Sequence, residues 1–319
     1  QVPTQCYEVF EQAVPAGDDT LLVAAHSTLR FHTWGDGECC LPRGATRATL
    51  LDPGASQGQR LLPGTVLIFE EVLDPRSGVA ADADPDHRQA VRLTEVHYGR
   101  DELLERDIIE IAWASADALS FPLCLSARLP SPDCRRIEEV SVARGNVILV
   151  DHGHWVRGEA LGCVGSVTHA QPCGCDGAVA DSDAHAAPFA PELKATPLVH
   201  RQPPVDDGPA STALAQDPRA ARPALMLTAH MPGQAEVETW NAVADLLASD
   251  GDACAVVVEV DDDGRGRLRF GDDRCGRCPT PGACFQAGYR IGDPLAGNVP
   301  REAIAHVVFR TTSIDGAGL

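Results

Sequence analysis

Residues 254–270 read CAVVVEVDDDGRGRLRF, two short runs of strand-forming residues around the turn sequence Asp261-Asp262-Asp263-Gly264. Valine, leucine and phenylalanine favour extended backbone, and a glycine after aspartates supplies the positive φ of a tight reversal. The stretch therefore predicts a β-hairpin, and it makes the C-terminal third of the chain part of a sheet.

Two patterns flank this hairpin. Upstream, Val237, Trp240, Val243, Ala244 and Leu247 lie at helical spacing and predict one amphipathic helix. Downstream, the alternating apolar residues of 285–291 predict a further strand. Together they indicate an α+β module over residues 236–310.

Residues 21–155 have the pattern of a β-rich domain. Alternation at 29–34, 89–98 and 107–113 and the apolar run at 65–73 each predict a strand. Strand-like residues on both sides of Arg144-Gly145-Asn146 predict a hairpin there. Residues 1–20 give weak signals and are predicted to be an incoming linker.

Ten of the 24 prolines lie between Pro172 and Pro232, where periodicity is poor. We interpret residues 156–235 as an extended Pro/Ala-rich connecting segment that depends on a neighbouring subunit for order. Residues 311–319 are expected to link to a further C-terminal part. The fold class is predicted as α+β and β-rich, with several small modules joined by a long Pro-rich extended segment.

The charge balance excludes some partners. The chain of 319 residues has a net charge of −20 and a single lysine, Lys194. Nucleic acid and anionic membrane surfaces need clustered cations, so neither is a predicted partner. The twelve cysteines do not resemble a small disulfide scaffold, and we expect mostly reduced intracellular thiols that pack as small hydrophobes.

Cys275-x-x-Cys278, with Cys284 six residues further on, is the sharpest chemical pattern. Two thiolates at this spacing can hold zinc, and Cys254 or the pair Cys173/Cys175 could complete the set. No second paired motif has clear spacing, so we predict no metal and no cofactor and leave structural zinc at Cys275, Cys278 and Cys284 as an open alternative.

Three other motifs are better explained as turns. The G-x-S-x-G sequence at 54–58 lacks the strand before it and the helix after it that a nucleophile elbow requires. The acidic run at 82–86 lacks the later ligands of a calcium loop. His152 and His154 have no third ligand placed by the sequence. The chain is therefore not predicted to be an enzyme, and no catalytic residue is assigned.

Several blocks, in order along the chain, resemble a single family. They are 33–46 (TWGDGECCLPRGAT), 63–71 (PGTVLIFEE), 81–94 (ADADPDHRQAVRLT), 121–126 (FPLCLS), 141–147 (SVARGNV), 256–272 (VVVEVDDDGRGRLRFGD), 274–283 (RCGRCPTPGA), 289–292 (YRIG) and 297–299 (GNV). The chain resembles the baseplate J-like family, the wedge proteins of contractile phage tails and related injection systems, and in particular its longer baseplate assembly proteins. It departs from the family at Cys275 and Cys278, where members carry His or Asn and Arg, and at Gly292-Asp293-Pro294, where they often have Gly-Asn-Gly.

The resemblance implies a structural protein that links the hub and spike to the sheath and helps to trigger contraction. It implies as partners a second wedge subunit, a sheath-initiator-like protein, the hub or spike, and copies of the chain around a sixfold ring. It implies assembly in the bacterial cytoplasm, with release of the particle left open. Its assembly motif falls on the following residues: Phe270, Gly271, Asp272, Gly276, Pro279, Gly282, Tyr289, Gly297 and Asn298. A secreted or surface β-rich binding protein and a zinc-dependent hydrolase remain as alternatives.

Overall fold

The structure, a computed structural model, describes residues 7–13, 21–168, 184–203, 208–213, 215–293 and 295–308. The chain divides into two compact units. The barrel unit contains residues 21–149, 208–213 and 215. The sheet unit contains residues 7–13, 150–168, 184–203, 216–293 and 295–308.

Strands dominate both units. In chain order they are β1 (Phe10–Gln12), β2 (Leu29–Arg30), β3 (Cys40–Leu41), β4 (Arg47–Leu51), β5 (Val66–Glu71), β6 (Arg88–Asp101), β7 (Arg106–Trp113), β8 (Leu123–Cys124), β9 (Ala127–Arg128), β10 (Arg136–Ile137), β11 (Ser141–Arg144), β12 (Val150–His152), β13 (His154–Cys163), β14 (Ser166–Thr168), β15 (Ala184–Ala186), β16 (His200–Arg201), β17 (Arg222–Pro223), β18 (Leu225–His230), β19 (Val237–Ala242), β20 (Ala255–Val260), β21 (Gly266–Phe270) and β22 (Cys284–Ile291). Within the described residues the helices are α1 (Ala210–Ala213) and the 3-10 turns Ala24–His26, Gln57–Gln59, Ala80–Asp82, Ser115–Asp117 and Pro218–Ala220. The predicted β-rich class is confirmed.

The barrel unit is an antiparallel sheet in the order β2-β11-β5-β6-β7-β4. Phe31, which follows β2, forms a bridge with Leu50 of β4, so the sheet curls back and closes on itself. A small barrel is filled by its own inward side chains. Phe69 is one of these inward side chains, and its ring centroid lies 5.1 Å from that of Phe31 and 5.1 Å from that of Trp113.

A buried carboxylate holds α1 within the barrel unit. Asp117 is fully buried and accepts hydrogen bonds from the backbone N–H groups of Ala210 (2.7 Å), Ser211 (2.9 Å) and Arg92 (3.0 Å). Burial by itself would raise the pKa of Asp117, but these hydrogen bonds together hold it below its ordinary value. The ionised side chain therefore fastens residues 208–213 to the same unit.

The sheet unit contains a second six-stranded sheet, in the order β13-β22-β18-β19-β20-β21. Its pairs are antiparallel except for β19 with β20. Trp240 is buried against Phe270 (5.2 Å) and Phe285 (5.5 Å), and these rings fill the centre of the core. The predicted hairpin forms as β20 and β21, and Asp261 closes it by accepting the backbone N–H groups of Asp263 and Arg265.

Two local predictions are wrong. Residues 237–242 form β19 rather than a helix, because their backbone pairs with β18 and β20, and Val237 and Leu247 of the supposed apolar face are 60% and 85% exposed. The hairpin at Arg144-Gly145-Asn146 does not form either. Asn146 bonds instead to the backbone of Val23.

The predicted linkers also contribute structure. Phe10–Gln12 pairs with Val150–His152, so part of the expected N-terminal linker is a strand. Within 156–235, β13 and β18 are members of the six-stranded sheet, because their backbone groups find partners on β22. Residues 169–183, 204–207 and 311–319 lie outside the described residues.

Candidate functional site

The loop between β21 and β22, residues 271–283, carries five residues of the predicted assembly motif and begins with a close backbone approach. A Cβ on Gly271 would overlap the carbonyl oxygen of Gly276. Gly276 itself has φ +80, a conformation that side chains disfavour. Both positions therefore require glycine.

Two aspartates shape the same loop. Asp272 accepts the backbone N–H groups of Arg274 (3.1 Å) and Cys275 (3.0 Å), and Asp273 accepts that of Cys278 (2.8 Å). The hydrogen bonds from Cys275 and Arg274 lower the pKa of Asp272. The carboxylates of Asp272 and Asp273 thus hold the loop in shape, because they accept hydrogen bonds from its own backbone N–H groups.

The loop is also attached to neighbouring segments. Arg277 bonds to Glu238 at 2.9 Å, and its backbone N–H donates to the carbonyl of Ala253 at 2.9 Å. Pro279 is buried. Gly282, at φ +86, donates its N–H to the carbonyl of Val164 at 2.8 Å. These contacts position the start of β22.

Tyr289 is the buried anchor of β22. Its side chain is 0% exposed, and its hydroxyl donates to the Glu159 carboxylate at 2.6 Å and accepts the N–H of Ala195 at 2.9 Å. Burial and the bond to Glu159 raise the pKa of Tyr289 to about 12. The hydroxyl therefore stays protonated and joins three segments of the unit.

Gly297 and Asn298 lie beyond β22 in different settings. A Cβ on Gly297 would come within 2.7 Å of the His152 ring, so glycine allows the chain to pass this histidine. The His152 ring in turn contacts Glu8 at 2.8 Å. Asn298 is exposed, and its side chain has no hydrogen bond to other described residues. Phe270, the first motif residue, is part of the aromatic core.

Arg290 is a buried structural residue that lies in the family-like block 289–292 but is not among the predicted motif residues. It is 0% exposed, and its guanidinium donates to the carbonyl oxygens of five residues. They are Glu11 (3.2 Å), Gln12 (3.1 Å), Asp151, His152 (2.7 Å) and Gly153 (3.1 Å). Burial lowers the pKa of this guanidinium, although nearby Asp151 opposes the shift. Arg290 thereby fastens β1 and β12 to β22. Besides that block, its sequence signal is a charge inside a predicted strand, next to Tyr289.

The candidate zinc ligands are not brought together. Cys284 forms a disulfide with Cys163, whereas Cys275 packs half-buried against Leu246, Ala255 and Val257. Burial, followed by Asp273 and Asp272, raises the pKa of Cys278 and disfavours its thiolate. Among the described residues, no group of three or more His, Cys, Asp or Glu side chains could hold a metal ion.

The cysteine prediction is wrong at four positions. Cys40–Cys124 and Cys163–Cys284 are disulfides, while the other five cysteines of the described residues are free. Each pair joins directly opposite residues of neighbouring strands, so the sheet brings the sulfurs together.

Within the described part of the chain, no helix has the length and hydrophobicity that a membrane crossing needs. No known family model, curated protein or solved structure matches this chain.

Proposed function

We propose that this chain is a structural wedge component of the baseplate of a contractile, phage-tail-like injection system. In this role it links the hub and spike to the sheath and contacts a second wedge subunit, a sheath-initiator-like protein and copies of itself around a sixfold ring. It assembles in the bacterial cytoplasm and performs no catalysis. The observation that carries the proposal is the series of nine family-like blocks, in order, from residue 33 to residue 299.

The geometry of the assembly motif supports an architectural role. Gly271 and Gly276 permit a close main-chain approach, Asp272 caps main-chain donors, and Tyr289 joins three segments. Each of these residues satisfies the backbone or fills the core. A loop held in this way suits a rigid scaffold, which is what the proposed role requires.

Apolar side chains after β22 support binding to partner subunits. Leu295, Val307 and Val308 are 86%, 73% and 85% exposed in the sheet unit. Exposed apolar surface of this kind is typical of protein–protein contacts when it is contiguous. We propose that residues 295–308 are covered in the assembled ring.

Sedimentation of a lysate from the producing cell tests the proposal. The lysate is separated on a density gradient, and fractions are probed with an antibody against this chain. The proposal predicts that the chain co-sediments with particles far heavier than its own 33.8 kDa, and that deletion of its gene abolishes those particles. Recovery of all the chain as a free monomer, with particles unaffected by the deletion, would refute it.

The two disulfides favour a second candidate, a secreted or surface β-rich binding protein. Disulfides persist mainly in oxidising compartments. This candidate predicts a stable monomer outside the cytoplasm, so the same gradient, run on cytoplasmic and secreted fractions, separates the two functions.

A further inference from the structure

A concave site of about 340 Å³ lies on the barrel unit, whereas the predicted assembly motif belongs to the sheet unit. Its lining includes Trp34, Arg47, Thr49, Glu95 and Glu110. This volume is at the lower end of the range for small-molecule sites. Neither the wedge function nor the sequence motifs assign it a role.

Polar side chains reach the site from three adjacent strands. The register pairs Thr49 of β4 with Glu110 of β7, and Glu110 with His97 of β6. Arg47 lies two residues before Thr49 and therefore projects from the same face of its strand. Within the described residues, the side chains of Arg47, Thr49 and Glu110 make no hydrogen bond or ion pair. Their bonding capacity is free for a ligand.

Trp34 provides an aromatic surface beside these groups. It has φ +55, which is uncommon for a bulky residue, and its side chain is 56% exposed. Its ring centroid lies 4.8 Å from that of His32. His32 is buried and fixed by a 2.9 Å contact between its Nε2 and the Asp101 carboxylate. The fixed His32 ring thus packs against the indole.

The loop that carries Trp34 is held in place before any ligand binds. The Ser126 hydroxyl accepts the N–H of Cys39 at 3.0 Å and donates to the carbonyl of Asp36 at 3.0 Å. The Cys40–Cys124 disulfide closes the same region. Less conformational freedom is therefore lost on binding, which favours affinity.

We propose that this site binds a neutral saccharide. A sugar ring presents a C–H face that can lie on Trp34, and its hydroxyls both donate and accept hydrogen bonds. They thus match the donor Arg47, the acceptor Glu110 and the Thr49 hydroxyl. A phosphorylated or other anionic ligand is disfavoured, because Glu95 and Glu110 outnumber Arg47 and the chain carries −20 overall.

Isothermal titration calorimetry of the full chain with maltose, cellobiose, lactose and N,N′-diacetylchitobiose tests the proposal. We expect saturable binding of at least one disaccharide. Trp34→Ala and Glu110→Gln should each weaken it by about tenfold or more, as loss of a stacking surface or a charged acceptor would. Asp82→Asn, at an exposed position outside the site, is the matched control and should leave affinity unchanged.

The urea midpoint of each variant shows whether it is folded, and Glu110→Gln preserves the shape of the site if Trp34→Ala does not fold. Three outcomes would overturn the proposal. The first is no saturable binding of any of the four disaccharides. The second is binding that both substitutions leave unchanged. The third is tighter binding of a lysine-rich peptide or inorganic phosphate than of any sugar.

Discussion

The Tyr289 hydroxyl donates a 2.6 Å hydrogen bond to the Glu159 carboxylate, across the pair formed by β22 and β13. The same hydroxyl accepts the backbone N–H of Ala195. Tyr289, a residue of the predicted assembly motif, is thus joined to Glu159 of β13. The sequence predicts the segment that contains Glu159 to be a connector.

Tyr289→Phe is expected to lower the free energy of unfolding by about 1–3 kcal/mol, because it leaves the Ala195 N–H and the Glu159 carboxylate without this partner. Urea denaturation measures the loss. Tyr7→Phe, at an exposed tyrosine, is the control and should change stability little.

The stability that Tyr289 contributes should also depend on pH. Its pKa of about 12 in the folded chain exceeds the value of about 10 in the unfolded chain. The contribution is therefore complete below pH 10 and is lost as pH rises from 10 towards 12. Unfolding curves across this range should show a steeper decline for the native chain than for Tyr289→Phe. Parallel declines would contradict the prediction.

Arg290→Lys should detach the N-terminal strand. Lysine has fewer donors and no planar fork, so it cannot serve the five carbonyls that surround Arg290. We expect a loss of about 3–5 kcal/mol, typical of a disrupted buried charge network. Hydrogen–deuterium exchange should accelerate at Phe10–Gln12. Arg269→Lys, whose side chain is 52% exposed, is the control and should leave this exchange unchanged.

Gly271→Ala tests the close approach at the start of the loop. The added Cβ would overlap the Gly276 carbonyl, so the backbone must shift, and we expect a loss of about 1–3 kcal/mol. Gly58→Ala is the control, since its Cβ would enter open space. Equal urea midpoints for the two variants would show that the loop does not require glycine at 271.

Asp117→Asn should release α1 from the barrel unit. An amide accepts the three N–H bonds less well than a carboxylate, so residues 208–213 should become sensitive to limited proteolysis. Because the pKa of Asp117 is lowered in the folded chain, its contribution is present above about pH 4 and lost as pH falls below that value. Asp262→Asn, a substitution in an exposed turn, is the control, and the protease should cleave this variant at the same rate as the native chain.

The two disulfides predict specific cross-linked peptides. Non-reducing peptide mapping should recover Cys40 with Cys124 and Cys163 with Cys284. Cys163→Ala should lower the free energy of unfolding by about 2–5 kcal/mol. Cys134→Ala, at a free and exposed cysteine, should have little effect. Recovery of these four positions as alkylated thiols would contradict the pairing.

The hairpin of β20 and β21 was predictable because its turn chemistry is local. Residues 237–247 were not, since their apolar spacing fits a helix, and the choice of a strand depends on pairing with β18 and β20. Strand β13 was hidden for a similar reason. Its register against β22 shifts twice, near glycines 158 and 162, which breaks the alternation.

The candidate site likewise combines features that local sequence predicts with features that depend on distant residues. The need for glycine at 271 and 276 and for a capping aspartate at 272 follows from short-range turn geometry. The role of Arg290 does not, because its carbonyl partners lie about 140 and 280 positions away along the chain. The disulfides likewise depend on strand register, which cysteine spacing does not encode.

Immunogold electron microscopy with an antibody against this chain tests the wedge proposal most directly. Particles released from the producing cell are labelled and imaged. The proposal predicts gold confined to one end of a contractile, tail-like particle, at the ring that receives the sheath and spike. Gold on the cell envelope, with tail-like particles unlabelled, would contradict it and would favour a surface binding protein.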